Sequence, residues 1–212
     1  RDSVASRGLG DVYKRQIRWL WQAADEAGQP WGPVVKVLLL TGQRLGEVAG
    51  MTDTEIKGDI WQMPGERTKN GRAHDVPLSE AVRDVLAGME RVKSPVGLIH
   101  TTTGKTPVSG FHRGRNNLAE HMERIAGQPI PHWTFHDLRR TAATGMARLG
   151  IPVRVTEAVL NHVSGTAGGI VSVYQRHDYA DEKRQALDAW ARRVLSLFEG
   201  SADNVVSIAG AR

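Results

Sequence analysis

From Ile17 onward apolar residues recur with a helical period in almost every segment, and only residues 60–76 depart from it. Ile17, Leu20, Trp21 and Ala24 fall at i, i+3, i+4 and i+7, a face that ends near Gly28-Gln29-Pro30. Pro33 fits the first turn of a second helix through Val34, Val35, Val37, Leu38 and Leu39, which Gly42 breaks. A short helix is expected over 45–51, and Ser79 is read as the cap of another carrying Val82, Val85, Leu86 and Met89. Ser109 is read as capping a helix that runs to about residue 126. Helices over 135–149 and 153–160 follow, separated by Gly150 and Pro152. Gly165, Gly168 and Gly169 loosen the chain before a helical turn around 171–175, and a long helix covers 181–198. In the exceptional stretch, strands at 60–63 and 74–76 flank Lys69-Asn70-Gly71-Arg72, and Asn-Gly is the strongest short hairpin signal. The expected fold class is mainly α with a small antiparallel β-sheet.

Bulk properties narrow the choice of partners. The longest apolar run, residues 34–40, is interrupted by Lys36 and falls well short of the roughly 18 residues of a membrane span. With no cysteine in 212 residues, neither a disulfide nor a thiolate metal site can support the fold. The net charge of +5 suits a polyanionic partner without proving one. Residues 1–16 show no helical or strand period and are read as a non-native leader on a chain that lacks an initiator Met and is expected to be a fragment. They hold Arg1, Arg7, Lys14 and Arg15 against Asp2 and Asp11, so the remainder carries only +3.

Several positions carry chemistry that is weak when each is taken alone. His136 and Arg139 lie at i and i+3, so an imidazole and a phosphate-matching guanidinium share one helix face. Arg140, at i+4 from His136, competes for the same role, and a solvated helix face is the ordinary explanation of such a pair. Arg44 sits where a glycine-broken helix restarts, with Glu47 three residues on to hold it; a surface ion pair is the bland alternative. Lys69 projects from the hairpin tip, where lysines are common, and His162 follows a helix, where it also fits a capping role. Tyr174 comes twelve residues after His162, and an isolated tyrosine there is normally a packing residue. His132 and His136 have the i, i+4 spacing of zinc ligands, but a helix that starts only near Phe135 spoils that geometry, so no metal is expected.

The order Arg44, Lys69, His136-x-x-Arg139, His162, Tyr174 is more specific than any of its members. With the segments TGQRLGEVAGM, RTKNGRAHDVPLS, HDLRRTAATGMARLG and VLNHVSGTAGGIVSVYQRHDYADEKRQALDAW, the sequence resembles the tyrosine recombinase/phage integrase family, especially integrases of genomic islands. The resemblance implies the DNA breaking-rejoining catalytic-domain fold over residues 17–198. It implies Tyr174 as nucleophile, forming a 3′-phosphotyrosyl enzyme. Arg44 and Arg139 would grip the non-bridging oxygens, His136 would relay the phenolic proton, His162 would hydrogen-bond the phosphate and Lys69 would protonate the departing 5′-oxygen. Glu47 would support Arg44, while Arg67, Arg72, Arg140 and Arg176 would contact DNA. Tyr179 is a rival nucleophile, disfavoured because Tyr174-Gln175-Arg176 matches the family segment.

Implied partners are a double-stranded DNA attachment site, three further copies in a homo-tetramer, and accessory DNA-bending or directionality factors. No cofactor and no membrane are implied, and the expected location is the cytoplasm, on DNA. The tail, residues 199–212, contains Val205-Val206-Ser207-Ile208 and is expected either to dock on a neighbouring subunit or to be disordered. Type IB topoisomerase-like relaxation and a non-cleaving integrase remnant are the competing functions.

Overall fold

The computed structural model describes residues 3–162 and 178–199, with side chains from 13 to 162 and from 178 to 198. The centre of the molecule is α2 (Trp31–Thr41), whose Val34, Val35, Val37, Leu38, Leu39 and Leu40 are all buried. A helix apolar on every side has to be surrounded. It packs against α1 (Ser3–Ala27), α4 (Glu80–Ala87), α6 (Phe135–Arg148) and α8 (Ala180–Glu199). Lys36 leaves this core by pairing with Asp25, and its ammonium lies 4.7 Å from the Trp21 ring centre.

Around this axis, α3 (Leu45–Ala49) continues from α2, α5 (Phe111–Ala126) lies along α1, and α7 (Val153–Val159) sits between α6 and α8. A three-stranded antiparallel meander is built from β1 (Ile56–Lys57), β2 (Ile60–Met63) and β3 (His74–Pro77), with Trp61 opposite Val76 and Met63 opposite His74. Two close approaches depend on glycine. A Cβ on Gly114 would fall 2.1 Å from the Trp31 ring, and one on Gly145 the same distance from Trp190. The Trp190 indole is pinned in turn by its N–H, which donates to Leu39 O at 2.8 Å.

The mainly α class and the small antiparallel sheet match the expectation, but several boundaries differ. α1 begins at Ser3 rather than at residue 17, and Tyr13 packs on the core while its hydroxyl donates to Thr141 O at 2.7 Å. Helical propagation from a well-packed segment carries the leader along despite its weak period. Ser79 does occupy the N-cap of α4, yet its hydroxyl is buried without a partner and only its carbonyl serves the first turn. Gly110, not Ser109, precedes α5, because the chain enters that helix at φ 80°. The Asn70-Gly71 turn is present, but β2 and β3 are joined by ten residues rather than a tight hairpin, with a 3-10 turn at Gly65–Arg67. The two-residue strand β1 is too short to leave a period in the sequence. The expected helical turn at 171–175 and the tail lie outside the described residues.

Candidate active site

Arg44 owes its place to the break between α2 and α3. Gly42 ends α2 at φ 66°, so close to α6 and α7 that a Cβ there would lie 2.9 Å from Leu160 and 3.2 Å from Ala142. Arg44 then extends the chain into α3, and Glu47 holds it twice. One carboxylate oxygen accepts from the Arg44 backbone N–H at 3.0 Å, and the other accepts from Nη1 at 2.9 Å. Glu47 is 4% exposed and Arg44 23%, so a buried carboxylate presents a guanidinium that still reaches solvent.

Arg139 joins three segments. It is buried, and it donates through Nη1 to Gly42 O at 2.9 Å and through Nη2 to Leu160 O at 2.5 Å. One side chain thereby fixes the backbone two residues before Arg44 and two residues before His162. Burial lowers its pKa and the like charge of Arg44 lowers it further, against the pull of Glu47, to about 10. It therefore stays protonated at neutral pH. Arg139 thus feels both the charge of Arg44 and that of the buried Glu47 carboxylate that holds Arg44.

The start of α6 decides which arginine takes that place. Thr134 caps the helix, with Asp137 accepting from its N–H and its hydroxyl, each at 2.9 Å. Burial pushes the Asp137 carboxyl up, but the two Thr134 hydrogen bonds and the charges of Arg140 and His136 outweigh it and leave it low. His136 is exposed on the first turn, one turn from Arg139, whereas Arg140 points outward and lies 3.5 Å from Asp137. Of the two arginines near His136, Arg139 is the one turned into the fold. His132 stands before the helix, which begins at Phe135.

His162 closes α7. Its N–H donates to Glu157 O at 2.9 Å, and the Asn161 N–H donates to Ala158 O at 3.2 Å with Asn161 at φ 48°. These are the two bonds of a Schellman ending, in which asparagine is the usual substitute for glycine. The imidazole remains 59% exposed, with Nδ1 3.9 Å from Glu157. Lys69 is exposed on the β2–β3 connection, and the Asn70 amide beside it donates to Asn161 Oδ1 at 2.8 Å. Arg72 is exposed on the same connection. Arg67, expected at DNA, is instead turned inward: Nε and Nη2 donate to the Glu55 carboxylate at 2.5 and 3.0 Å, and Nη2 also donates to Glu47 O at 3.0 Å. Tyr174 and Arg176 lie outside the described residues.

Several contributors were not singled out from the sequence. Gln43 Nε2 donates to Thr41 O at 2.9 Å and to Val159 O at 2.8 Å, tying the α2 end to the α7 end. His74 donates from Nε2 to the same Val159 O at 3.0 Å; burial first, then the charge of Lys183, push its pKa down to about 4, so it acts as a neutral strut. Glu55 also accepts from the Trp61 indole at 2.9 Å. Only the Asn161 turn left a readable signal, an asparagine just past a helix end.

Residues 11–181 match the family model described as the phage integrase family. The chain belongs to the phage integrase family. Prophage integrase IntA of Escherichia coli strain K12 is 30% identical over 165 residues, covering 77% of this chain and 38% of that protein. A lambda integrase (75-356) dimer bound to a COC′ core site superposes with a TM-score of 0.56 at 19% identity, over 74% of this chain and 58% of that one. A lambda integrase tetramer bound to a Holliday junction gives 0.54 at 19% identity, over 73% and 47%. At such identities these structures speak for the fold of the integrase-family chain. The chain spans half the length or less of the curated relatives it matches. Among the described residues no helix is long and apolar enough to cross a membrane.

Proposed function

We propose that this integrase-family chain is the catalytic part of a site-specific recombinase that cleaves and rejoins double-stranded DNA through a 3′-phosphotyrosyl link at Tyr174. The observation that carries the reading is the pair Arg44 and Arg139, held in one field with Glu47 as the buried counter-charge. Concentrated positive charge of this kind is relieved by an anion, and planar guanidiniums match phosphate oxygens. As charge builds at phosphorus in a site already polarised this way, the transition state is favoured without reorganisation.

In this reading the Tyr174 oxygen bonds to phosphorus as the bond to O5′ breaks. The phenolic proton passes to His136, and O5′ leaves with a proton from Lys69. His162 donates to a non-bridging oxygen. A free phenol at pH 7 costs about 4 kcal/mol to ionise, which the two guanidiniums and the imidazoles offset. The phosphotyrosyl bond keeps the energy of the phosphodiester, so rejoining to another 5′-hydroxyl needs neither nucleotide nor metal. Arg72, Arg140 and Arg176 are assigned to flanking phosphates. By analogy with the lambda integrase dimer on a core site and the tetramer on a Holliday junction, the substrate is an attachment site bound by four copies. The family resemblance adds accessory DNA-bending or directionality factors, and integration or excision of a mobile element as the outcome.

The test is a nicked attachment-site DNA from which the cleaved end diffuses away, followed by a denaturing gel. A covalent protein–DNA band is expected that Tyr174→Phe abolishes and Tyr179→Phe leaves intact. The reverse pattern moves the nucleophile, and no band with Tyr174 present overturns the cleaving function.

A further inference from the structure

The general-acid lysine of the proposed reaction sits on a loop, and a loop alone is a poor way to aim a proton. The β2–β3 connection is tied down at its tip. Asn70 Nδ2 donates to Asn161 Oδ1 at 2.8 Å and to Asn161 O at 3.2 Å, and Asn161 Nδ2 donates back to Asn70 Oδ1 at 3.2 Å. The two residues are 91 apart in sequence, next to Lys69 on one side and His162 on the other.

Both ends of this amide pair are themselves fixed. Asn70 Oδ1 also accepts from the Arg72 N–H at 3.2 Å, and Thr68 Oγ1 donates to Arg72 O at 2.7 Å, so the tip is a closed turn. Asn161 stands at φ 48° within the Schellman ending of α7, an ending anchored in turn by Arg139 on Leu160 O. A side chain at that position is costly for most residues but mild for asparagine. Glycine would satisfy the backbone equally well and could not make the amide pair.

We infer that Asn70 and Asn161 form an amide clamp that holds the Lys69 loop against the His162 turn, making both of them positioning residues for protonation of the leaving 5′-oxygen. The inference rests on the reading of Lys69 as the general acid. An unclamped loop still carries the lysine but delivers it to O5′ in a smaller fraction of encounters. The defect then belongs to leaving-group departure alone and not to DNA binding.

The experiment compares cleavage of two nicked DNAs, one with the natural bridging 5′-oxygen and one with bridging 5′-sulfur, which leaves as a thiolate and needs no proton. Asn161→Gly keeps the left-handed backbone, and Asn70→Ser keeps a hydroxyl acceptor for the Arg72 N–H while being too short to reach Asn161. Both variants are expected to cleave the oxygen substrate about tenfold more slowly, to cleave the sulfur substrate at the wild-type rate and to bind DNA unchanged. Lys69→Ala is the control. If its defect persists on sulfur, the role of Lys69 is wrong and the clamp falls with it. If Lys69→Ala recovers on sulfur and the asparagine variants do not, or if they show no defect on oxygen, the clamp alone is overturned. Amide hydrogen exchange on the free chain gives a readout independent of cleavage. Residues 68–72 should exchange at least tenfold faster in Asn161→Gly while α2 is unaffected, and unchanged protection there also refutes the clamp.

Discussion

Replacing Arg67 by Met separates a residue that faces DNA from one that holds the site together. The Arg67 guanidinium makes two bonds to Glu55 and one to Glu47 O, and the Glu55 side chain is only 8% exposed. Removing one partner of a buried pair strands the other charge, which costs about 3–5 kcal/mol. Glu55 keeps the Trp61 indole and the Thr52 N–H as donors, so the lower end, about 3 kcal/mol, is expected. In a domain of this size that lowers Tm by roughly 6–12 °C. A surface ion pair would give at most about 1 kcal/mol. Urea unfolding of Arg67→Met, Glu55→Gln and the double variant should show a coupling of about 2 kcal/mol, because the second change removes the charge that the first strands. The salt dependence of DNA binding should keep its slope. A loss below about 1 kcal/mol, with a salt slope shallower by about one, would refute the argument and return Arg67 to a phosphate contact.

Further consequences follow from buried groups elsewhere. His74 and His100 are buried and their pKa values are pushed down to about 4, for His100 by burial and then by Arg91. Both are neutral when folded, so their contribution is complete above pH 6.5 and is lost as pH falls towards 4, where the unfolded chain alone takes up the protons. The loss is about 3 kcal/mol each at most. Neither His100 ring nitrogen has a hydrogen-bond partner among the described residues, so His100→Leu should flatten the pH 7.5 to 4.5 stability difference by about that amount; an unchanged difference in urea midpoints would contradict it. Gly145→Ala places a methyl against the pinned Trp190 ring and should cost about 2 kcal/mol net, an overpacking strain of about 3 kcal/mol outweighing the usual helix gain of about 1 kcal/mol; a thermal melt showing stabilisation would refute the packing. Thr134→Ala removes the cap of α6 and should lower stability by about 1 kcal/mol in the same melts, and no change would show that the cap contributes nothing.

The helices and the order of the site residues were legible because both leave short-range marks. Apolar period marked α2, α6 and α8, while helix spacing left Arg139 and Arg140 both beside His136 and only the family resemblance favoured Arg139; their opposite burial is seen only in the fold. What stayed hidden was long-range. Nothing near Arg139 says that it will hold Gly42 and Leu160, nothing near Asn70 points 91 residues ahead, and Arg67 looks like any loop cation until Glu55 is placed under it. The ten-residue β2–β3 connection was underestimated because Asn-Gly marks a turn but not the length of the loop that contains it. Tyr13 was set aside on a weak local period, although a phenol that reaches Thr141 O belongs to the packing of α1 on α6.

If Arg44 and Arg139 answer charge on one phosphate, a phosphate without charge removes the need for them. Arg44→Ala should cut an ordinary scissile phosphodiester poorly, because half of the cationic grip is gone. It should recover on DNA carrying a methylphosphonate at that position, where one charged oxygen is replaced by methyl. Equal loss on both substrates would contradict the account, since it would mean that Arg44 does something other than stabilise the charge of the phosphate being cut.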